Sequence, residues 1–328
     1  MVPSLSDARK ASYLVVLLAL VAVTRFHLGA ALVAGLFATM ILNQANLGLR
    51  DAGASPLVSR CVSIALFVVL GGLLALIFMT FVRIGLSRLP LLLDRVLPRL
   101  DSLSNRFGVD LPVDNVSDLR SFILTTAKDH AQSITAASGL LTRGFFQILA
   151  ALAVAVLRFL APVLPENPVK KGLEAEFMRE CSDRLALFTG SFDRVMGAQV
   201  LISAINTGVT LVFLFVVGIP FRTMLTLATF LCGMVPIAGN LASNGLIVAA
   251  ALSRSDHMAV AALIYLVVIH KAEYFLNGRI VGARIETPTW ATLVGLLVGE
   301  ALMGVTGVIL APSLIHYFRE ELRAIPTR

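Results

Sequence analysis

Long runs of apolar residues alternate with short polar breaks along the chain, and eight of these runs are candidate membrane segments. They are 13–24, 28–43, 61–82, 144–164, 195–218, 222–252, 257–276 and 290–315. A helix needs about 20 predominantly apolar residues to cross the hydrocarbon core of a bilayer. Six of the eight runs reach that length. The pattern therefore predicts an all-α, polytopic helical membrane protein.

The first two runs are shorter than a full span. Residues 11–24 follow a pair of basic residues, as the apolar part of a secretory signal peptide does. However, Arg25 and His27 come directly afterwards, and a second apolar run spans 28–42. We therefore expect an uncleaved hairpin of two short helices. The first helix should extend toward Asp7 or lie in locally thinned lipid.

After the third run, the pattern becomes amphipathic. In 83–143, apolar residues recur at three- and four-residue steps from Leu86 to Leu103, and Arg and Asp occupy the other face. Pro90 and Pro98 are expected to bend or break this stretch, because proline has no backbone N–H. We interpret the region as a helical hairpin outside the hydrocarbon.

These patterns divide the chain into six parts. They are N-terminal membrane segments (1–82), the extramembrane hairpin (83–143), a span (144–165), a charged cytoplasmic amphipathic helix (166–194), a C-terminal transport core (195–318) and a polar tail (319–328). An even number of membrane segments puts both termini on one side. The distribution of Lys and Arg among the loops favours the cytoplasmic side for both.

Composition supports the membrane class and narrows the chemistry. Hydrophobic residues make up 57% of the 328 residues and charged ones only 14%, whereas soluble domains have about 25% charged residues. This excludes an ordinary cytosolic enzyme and a disordered chain. The net charge is +7, but the chain has no run of five basic residues. We therefore assign the Lys and Arg residues to membrane edges and expect no nucleic-acid partner. The three separated cysteines indicate neither zinc nor a disulfide framework.

The sequence contains no catalytic or nucleotide-binding motif. HExxH, GxSxG and P-loop patterns are all missing. We therefore expect neither an enzyme nor a cofactor. Without an ATP site, active transport would have to use an ion gradient or another protein.

The apolar segment 222–252 is interrupted near its middle. Pro236 has no N–H, Gly239 tolerates unusual dihedrals, and Asn240 can cap a new helix that continues through Asn244. This predicts a broken or re-entrant helix, whose freed backbone groups cannot face lipid. Discontinuous helices of this kind commonly form solute sites in transporters. A structural kink or a re-entrant turn without a ligand is the alternative.

Other polar residues lie within apolar segments. Gln199, Ser203 and Asn206 share one helix face, where they either line a path or join helices by hydrogen bonds. Lys271 and Glu273 lie at the end of the 257–276 segment, where they either serve a path or reach water.

Glu300 is a carboxylate in the middle of the 290–315 segment, where it must be protonated, paired or hydrated. Its candidate partners are Lys271, Arg279 and Arg158. Four glycines in the same segment indicate close helix packing. These are Gly295, Gly299, Gly304 and Gly307.

The C-terminal half, about 188–320, resembles the autoinducer-2 exporter-like (AI-2E) family of bacterial membrane proteins. The resemblance rests on the stretches FDRVMGAQVLISAINTGVTLVFLFVVGIP, FLCGMVPIAGN, IHKAEYFLNGRIVG and LVGLLVGEALMGVTGVILAPSL. The family pattern is matched at Gln199, Gly218, Pro220, Pro236, Gly239, Glu273, Gly304, Gly307, Ala311 and Pro312. This chain departs from it at Asn277–Gly278, where members commonly have a proline, and near Glu300, where they have a glycine.

The resemblance implies a multi-pass permease of the bacterial cytoplasmic membrane, with the lipid bilayer around it. Members export the signal autoinducer-2, and others exchange sodium for protons, so the expected cargo is a small polar solute or a monovalent cation. We expect solute export, either by ion-gradient-driven or by facilitated transport. Sodium (lithium)/proton antiport and a non-transporting membrane scaffold are the alternatives. The hairpin 83–143 and the glycine faces are compatible with a homo-oligomer.

Overall fold

The computed structural model describes residues 7–107, 118, 120–126, 140–161, 172–235, 238–280 and 289–324. Within these ranges the chain is helical apart from short turns. The helices are α1 (Asp7–Arg25), α2 (Gly29–Asp51), α3 (Pro56–Phe107), α4 (Leu140–Leu160), α5 (Leu173–Val217), α6 (Arg222–Gly233), α7 (Ala238–Leu252), α8 (Asp256–Ile280), α9 (Thr289–Met303) and α10 (Val305–Arg323). Residues 118 and 120–126 are also helical.

Four of these helices, α2 to α5, are long and apolar enough to cross a membrane. Only 6% of the most apolar window of α3 is buried within the chain. Side chains such as Leu76 and Met79 are exposed on it, and a large exposed apolar surface of this kind marks contact with lipid. The prediction of a polytopic helical membrane protein is confirmed.

Helix α3 continues where the sequence predicted a bend or a break. It runs for 52 residues with Pro90 and Pro98 inside it. A proline inside a helix costs about 3 kcal/mol because it removes a hydrogen bond and crowds the preceding turn. Leu92 and Val96, between the two prolines, are buried in a hydrophobic core, and we attribute the continuity of α3 to this packing.

Two other helices also pass through expected boundaries. Helix α5 joins the charged segment 166–194 to the following apolar span without a break at residue 195. Helix α8 continues to Ile280 through Asn277 and Gly278. Of the expected hairpin 83–143, residues 108–117, 119 and 127–139 lie outside the described residues.

The chain forms two compact units. The first unit comprises Met1–Leu70, Arg143–Gly197 and Arg284–Arg328, and the second comprises Gly71–Thr142 and Ala198–Ala283. The core of the first unit joins α2, α5 and α10, with Phe37 packed edge-on against Phe192 at 5.1 Å between ring centroids. The core of the second unit joins α3, α5, α6, α7 and α8.

The segment 290–315, expected to be one span, is a helical hairpin. Helices α9 and α10 are separated by Gly304, which has a φ of 59°. A left-handed backbone of this kind favours glycine. A Cβ on Gly307 would overlap the carbonyl oxygen of Gly299, so the two helix backbones are in direct contact. Helix α9 has 15 residues, which span about 22 Å, less than the hydrocarbon core.

Candidate functional site

The interruption expected in the segment 222–252 separates α6 from α7. Helix α6 ends at Gly233 and α7 begins at Ala238, while Pro236 lies outside the described residues. Residues near the start of α6 and the end of α7 share the core of the second unit, so the two helices run antiparallel. A Cβ on Gly239 would overlap the carbonyl oxygen of Cys232. We call this pair the α6–α7 hairpin.

Helix α6 spans about 18 Å and α7 about 22 Å, from 12 and 15 residues respectively. Neither is long enough to cross the hydrocarbon core alone. The arrangement agrees with a re-entrant helix, one of the two forms that the sequence predicted.

Side chains of α5 cover the end of α6. The last four carbonyl groups of a helix have no partner within it. Gln199 Nε2 donates to the carbonyl oxygen of Gly233 at 2.6 Å, and Ser203 Oγ donates to that of Phe230 at 2.8 Å. The two carbonyls between them accept the backbone N–H groups of Met234 and Val235. All four freed carbonyls are therefore satisfied within the protein.

Asn240 and Glu273 connect the start of α7 to α8. Asn240 Nδ2 donates to Glu273 Oε1 at 2.6 Å. Both residues are half-buried, and their hydrogen bond joins α7 to α8 within the second unit. Asn244 lies one helical turn after Asn240 on the same face and is also half-buried. Lys271, two residues before Glu273, is exposed.

Two buried polar atoms, one on α5 and one on α6, are unsatisfied within the described residues. The two α5–α6 hydrogen bonds set an antiparallel register, and from it we infer that Asn206 and Thr226 lie at a similar level on the two helices. Asn206 Oδ1 and Thr226 Oγ1 are buried and have no hydrogen-bond partner in the described part of the chain. A water molecule or a solute hydroxyl can satisfy such groups. The sequence does not indicate Thr226 as a site residue, because its contribution depends on this register.

Glu300 and the glycines belong to the first unit. Glu300 is exposed on α9, and no ion pair joins it to Arg158 among the residues that the structure describes. The side chain of Arg279, another candidate partner, lies outside the described residues. Glu300 is a residue of the first unit, whereas Asn240 and Glu273 belong to the second.

Three of the four glycines lie between α9 and α10. A Cβ on Gly299 or Gly307 would meet the backbone of the opposite helix, and one on Gly295 would meet the side chain of Ile315. Gly304 differs from them, because it forms the turn and nothing lies within contact distance of its Cβ position.

A buried ionic cluster in the first unit was not predicted from the sequence. The guanidinium of Arg184, whose side chain is 4% exposed, lies 2.7 Å from Glu180 and 3.4 Å from Glu321. Arg9 lies 3.4 Å from the same Glu321 oxygen, which also accepts the hydroxyl of Tyr13 at 2.7 Å. The cluster joins α1, α5 and α10. Only folding reveals it, because members that lie on different helices are separated by more than a hundred residues in the sequence.

Comparison with known proteins agrees with this architecture. The sequence model described as "AI-2E family transporter" matches residues 11–326. This chain belongs to the AI-2E transporter family. The AI-2E family is described as a family of transporters.

One relative of this AI-2E chain is a Bacillus subtilis (strain 168) protein named "Putative transport protein YdbI". The two are 28% identical over 137 residues, which cover 41% of this chain and 39% of that protein. The match thus spans less than half of either protein. It agrees with transport and says nothing further about the solute.

Proposed function

We propose that this AI-2E protein is a permease that exports a small polar solute, such as an autoinducer-2-like signal, across the bacterial cytoplasmic membrane. The observation that carries this proposal is the hydrogen bond of Asn240 to Glu273 at the interruption between α6 and α7. It brings an amide and a carboxylate together beside a re-entrant hairpin. Charged groups within membrane segments are costly and are usually functional.

The polar groups around the hairpin suit a hydroxyl-bearing solute. Gln199, Asn206, Asn240 and Asn244 supply amides, each of which can both donate and accept. The last backbone carbonyls of α6 already have hydrogen-bond partners within the protein. We therefore assign solute contact to side chains, with Thr226 and Asn206 offering two unsatisfied oxygens.

Glu273 is the residue to which we assign coupling to an ion gradient. Its carboxylate accepts a hydrogen bond from Asn240, at the start of α7. Protonation or cation binding at Glu273 would weaken this charge-assisted bond. The start of α7 would then be released from α8, which links an ion to the hairpin.

The proposal is tested with proteoliposomes that contain the purified full chain and are loaded with isotope-labelled autoinducer-2. We expect saturable efflux above that of protein-free liposomes, and faster efflux when an inward proton gradient is imposed. Efflux equal to that of protein-free liposomes would remove the export assignment. An efflux rate that does not depend on proton, sodium or lithium gradients would indicate facilitated transport.

Sodium (lithium)/proton antiport is the second candidate, and the exposed Glu300 carboxylate favours it. We expect Glu300→Gln to change autoinducer-2 efflux by less than about twofold, as for a surface substitution. A pH dye inside the same vesicles should not respond to added sodium or lithium. A dye response that Glu300→Gln abolishes would instead assign antiport to Glu300.

We also propose that both termini are cytoplasmic. If the α6–α7 and α9–α10 hairpins each enter and leave the membrane on one side, the segments 222–252 and 290–315 do not cross it, and six of the eight segments remain as crossings. The number of crossings stays even, so the argument for both termini is unchanged. Green fluorescent protein fused after residue 328 should fluoresce. Loss of this fluorescence, together with activity of a periplasmic phosphatase fused at the same residue, would contradict a cytoplasmic C-terminus.

A further inference from the structure

Two of the apolar grooves beside α1 in the first unit adjoin each other. The larger, with a volume of about 320 Å³, lies between α1, α2, α5 and α10. The smaller, of about 240 Å³, lies between α1 and α10. Val16, Leu20 and Tyr317 line both, so the two grooves share one wall. Neither groove includes a residue of the solute site proposed above.

Buried hydrogen-bond donors without acceptors line these apolar grooves. Tyr317 is 2% exposed, and its hydroxyl has no partner in the described residues. Arg184 lines the larger groove, and its Nε also has no partner there. Buried donors are normally satisfied, so each such group calls for an acceptor from outside the chain. An acceptor-bearing ligand with apolar parts fits this combination.

The charges around the donors are balanced. Arg9 and Arg184 face Glu180 and Glu321 within the ionic cluster. A ligand therefore need not bring a full charge to neutralise the site. It has to supply oxygen acceptors, as ester and phosphodiester groups do.

The direction of the grooves matches that of a lipid in a bilayer. The ionic cluster lies where α1 begins and α10 ends, next to the exposed Asp7 and Lys10. From there the larger groove follows the apolar part of α1 from Ser12 to Val23. A polar head at the cluster would therefore send its apolar chains along α1, toward the membrane interior.

We propose that the two grooves bind one diacyl glycerophospholipid. One acyl chain occupies each groove, on either side of Tyr317. The ester and phosphate oxygens accept hydrogen bonds from the Tyr317 hydroxyl and from Arg184 Nε. The inference is independent of the transported solute.

Native mass spectrometry of the full chain tests this site, with dioleoyl phosphatidylglycerol and dioleoyl phosphatidylethanolamine as probes. Ala19→Phe should fill the larger groove and reduce the bound lipid about tenfold. Ala30→Phe is the matched control, because Ala30 is exposed on α2 outside both grooves. Equal lipid binding by the two variants would overturn the site.

A second variant tests the head-group contact without changing the groove. Tyr317→Phe keeps the ring and removes only the hydroxyl, so the occupancy of bound lipid should fall about three- to tenfold, as for one lost hydrogen bond. Unchanged occupancy would overturn the assignment of Tyr317. Oleic acid, with a single chain, should compete poorly, and competition at equal concentration would overturn the two-chain proposal. Preference between the two phospholipids then identifies the head group.

Discussion

Glu273→Gln is expected to reduce autoinducer-2 efflux from proteoliposomes about tenfold or more. Glutamine keeps the size of the side chain and a carbonyl oxygen that can accept from Asn240, but it removes the negative charge. A hydrogen bond to a charged group contributes about 1.5–3 kcal/mol, and about 1.4 kcal/mol corresponds to tenfold. The measurement is the initial rate of efflux at matched protein density.

The matched control is Glu174→Gln, which makes the same chemical change at an exposed position near the start of α5. It should leave efflux unchanged. Asn240→Ala should resemble Glu273→Gln if the pair acts as a unit, and the double variant should then be no slower than either single one. Equal rates for Glu273→Gln and Glu174→Gln would contradict the role given to Glu273.

Gly307→Ala is expected to destabilise the first unit by about 3 kcal/mol or more, which is at the upper end of the usual cost of overpacking. The added methyl group would overlap the carbonyl oxygen of Gly299. Backbone cannot move aside as a flexible side chain does, so α9 and α10 must separate. Trp290, the single tryptophan, lies at the start of α9. Its fluorescence during heating therefore reports on this hairpin.

Gly71→Ala is the control for this substitution. Gly71 is also helical, but nothing lies within contact distance of its Cβ position. Alanine should there be neutral or stabilise by up to about 1 kcal/mol. An unfolding temperature of Gly307→Ala that equals that of Gly71→Ala would show that the α9–α10 contact is looser than the structure indicates.

Features that depend on neighbouring residues could be predicted from the sequence. Hydrophobic runs define helices because the bilayer requires apolar length, and the interruption of 222–252 was visible from Pro236 and Gly239. Asn240 and Glu273 were both selected as candidates. The hydrogen bond between them could not be predicted from the sequence, because it depends on how α7 and α8 pack.

Features that depend on packing were missed or misread. The segment 290–315 has no polar break at Gly304, so hydropathy could not show that the chain reverses there. Conversely, Pro90 and Pro98 suggested a break that burial of their neighbours prevents. At Pro90 and Pro98, tertiary contacts outweigh the local preference of the residue, whereas the reversal at Gly304 accompanies the close packing of α9 against α10.

The two side chains that α5 extends to the end of α6 have a consequence for motion. Gln199 and Ser203 anchor the α6 side of the hairpin turn to one stretch of α5. The turn can leave that stretch only by giving up both bonds. A solute rich in hydroxyl groups can form a replacement hydrogen bond with each group as it is released, so the total number of hydrogen bonds stays constant. With a solute that lacks hydroxyl groups, the two hydrogen bonds would be broken without replacement. This difference alone would select for hydroxyl-bearing solutes.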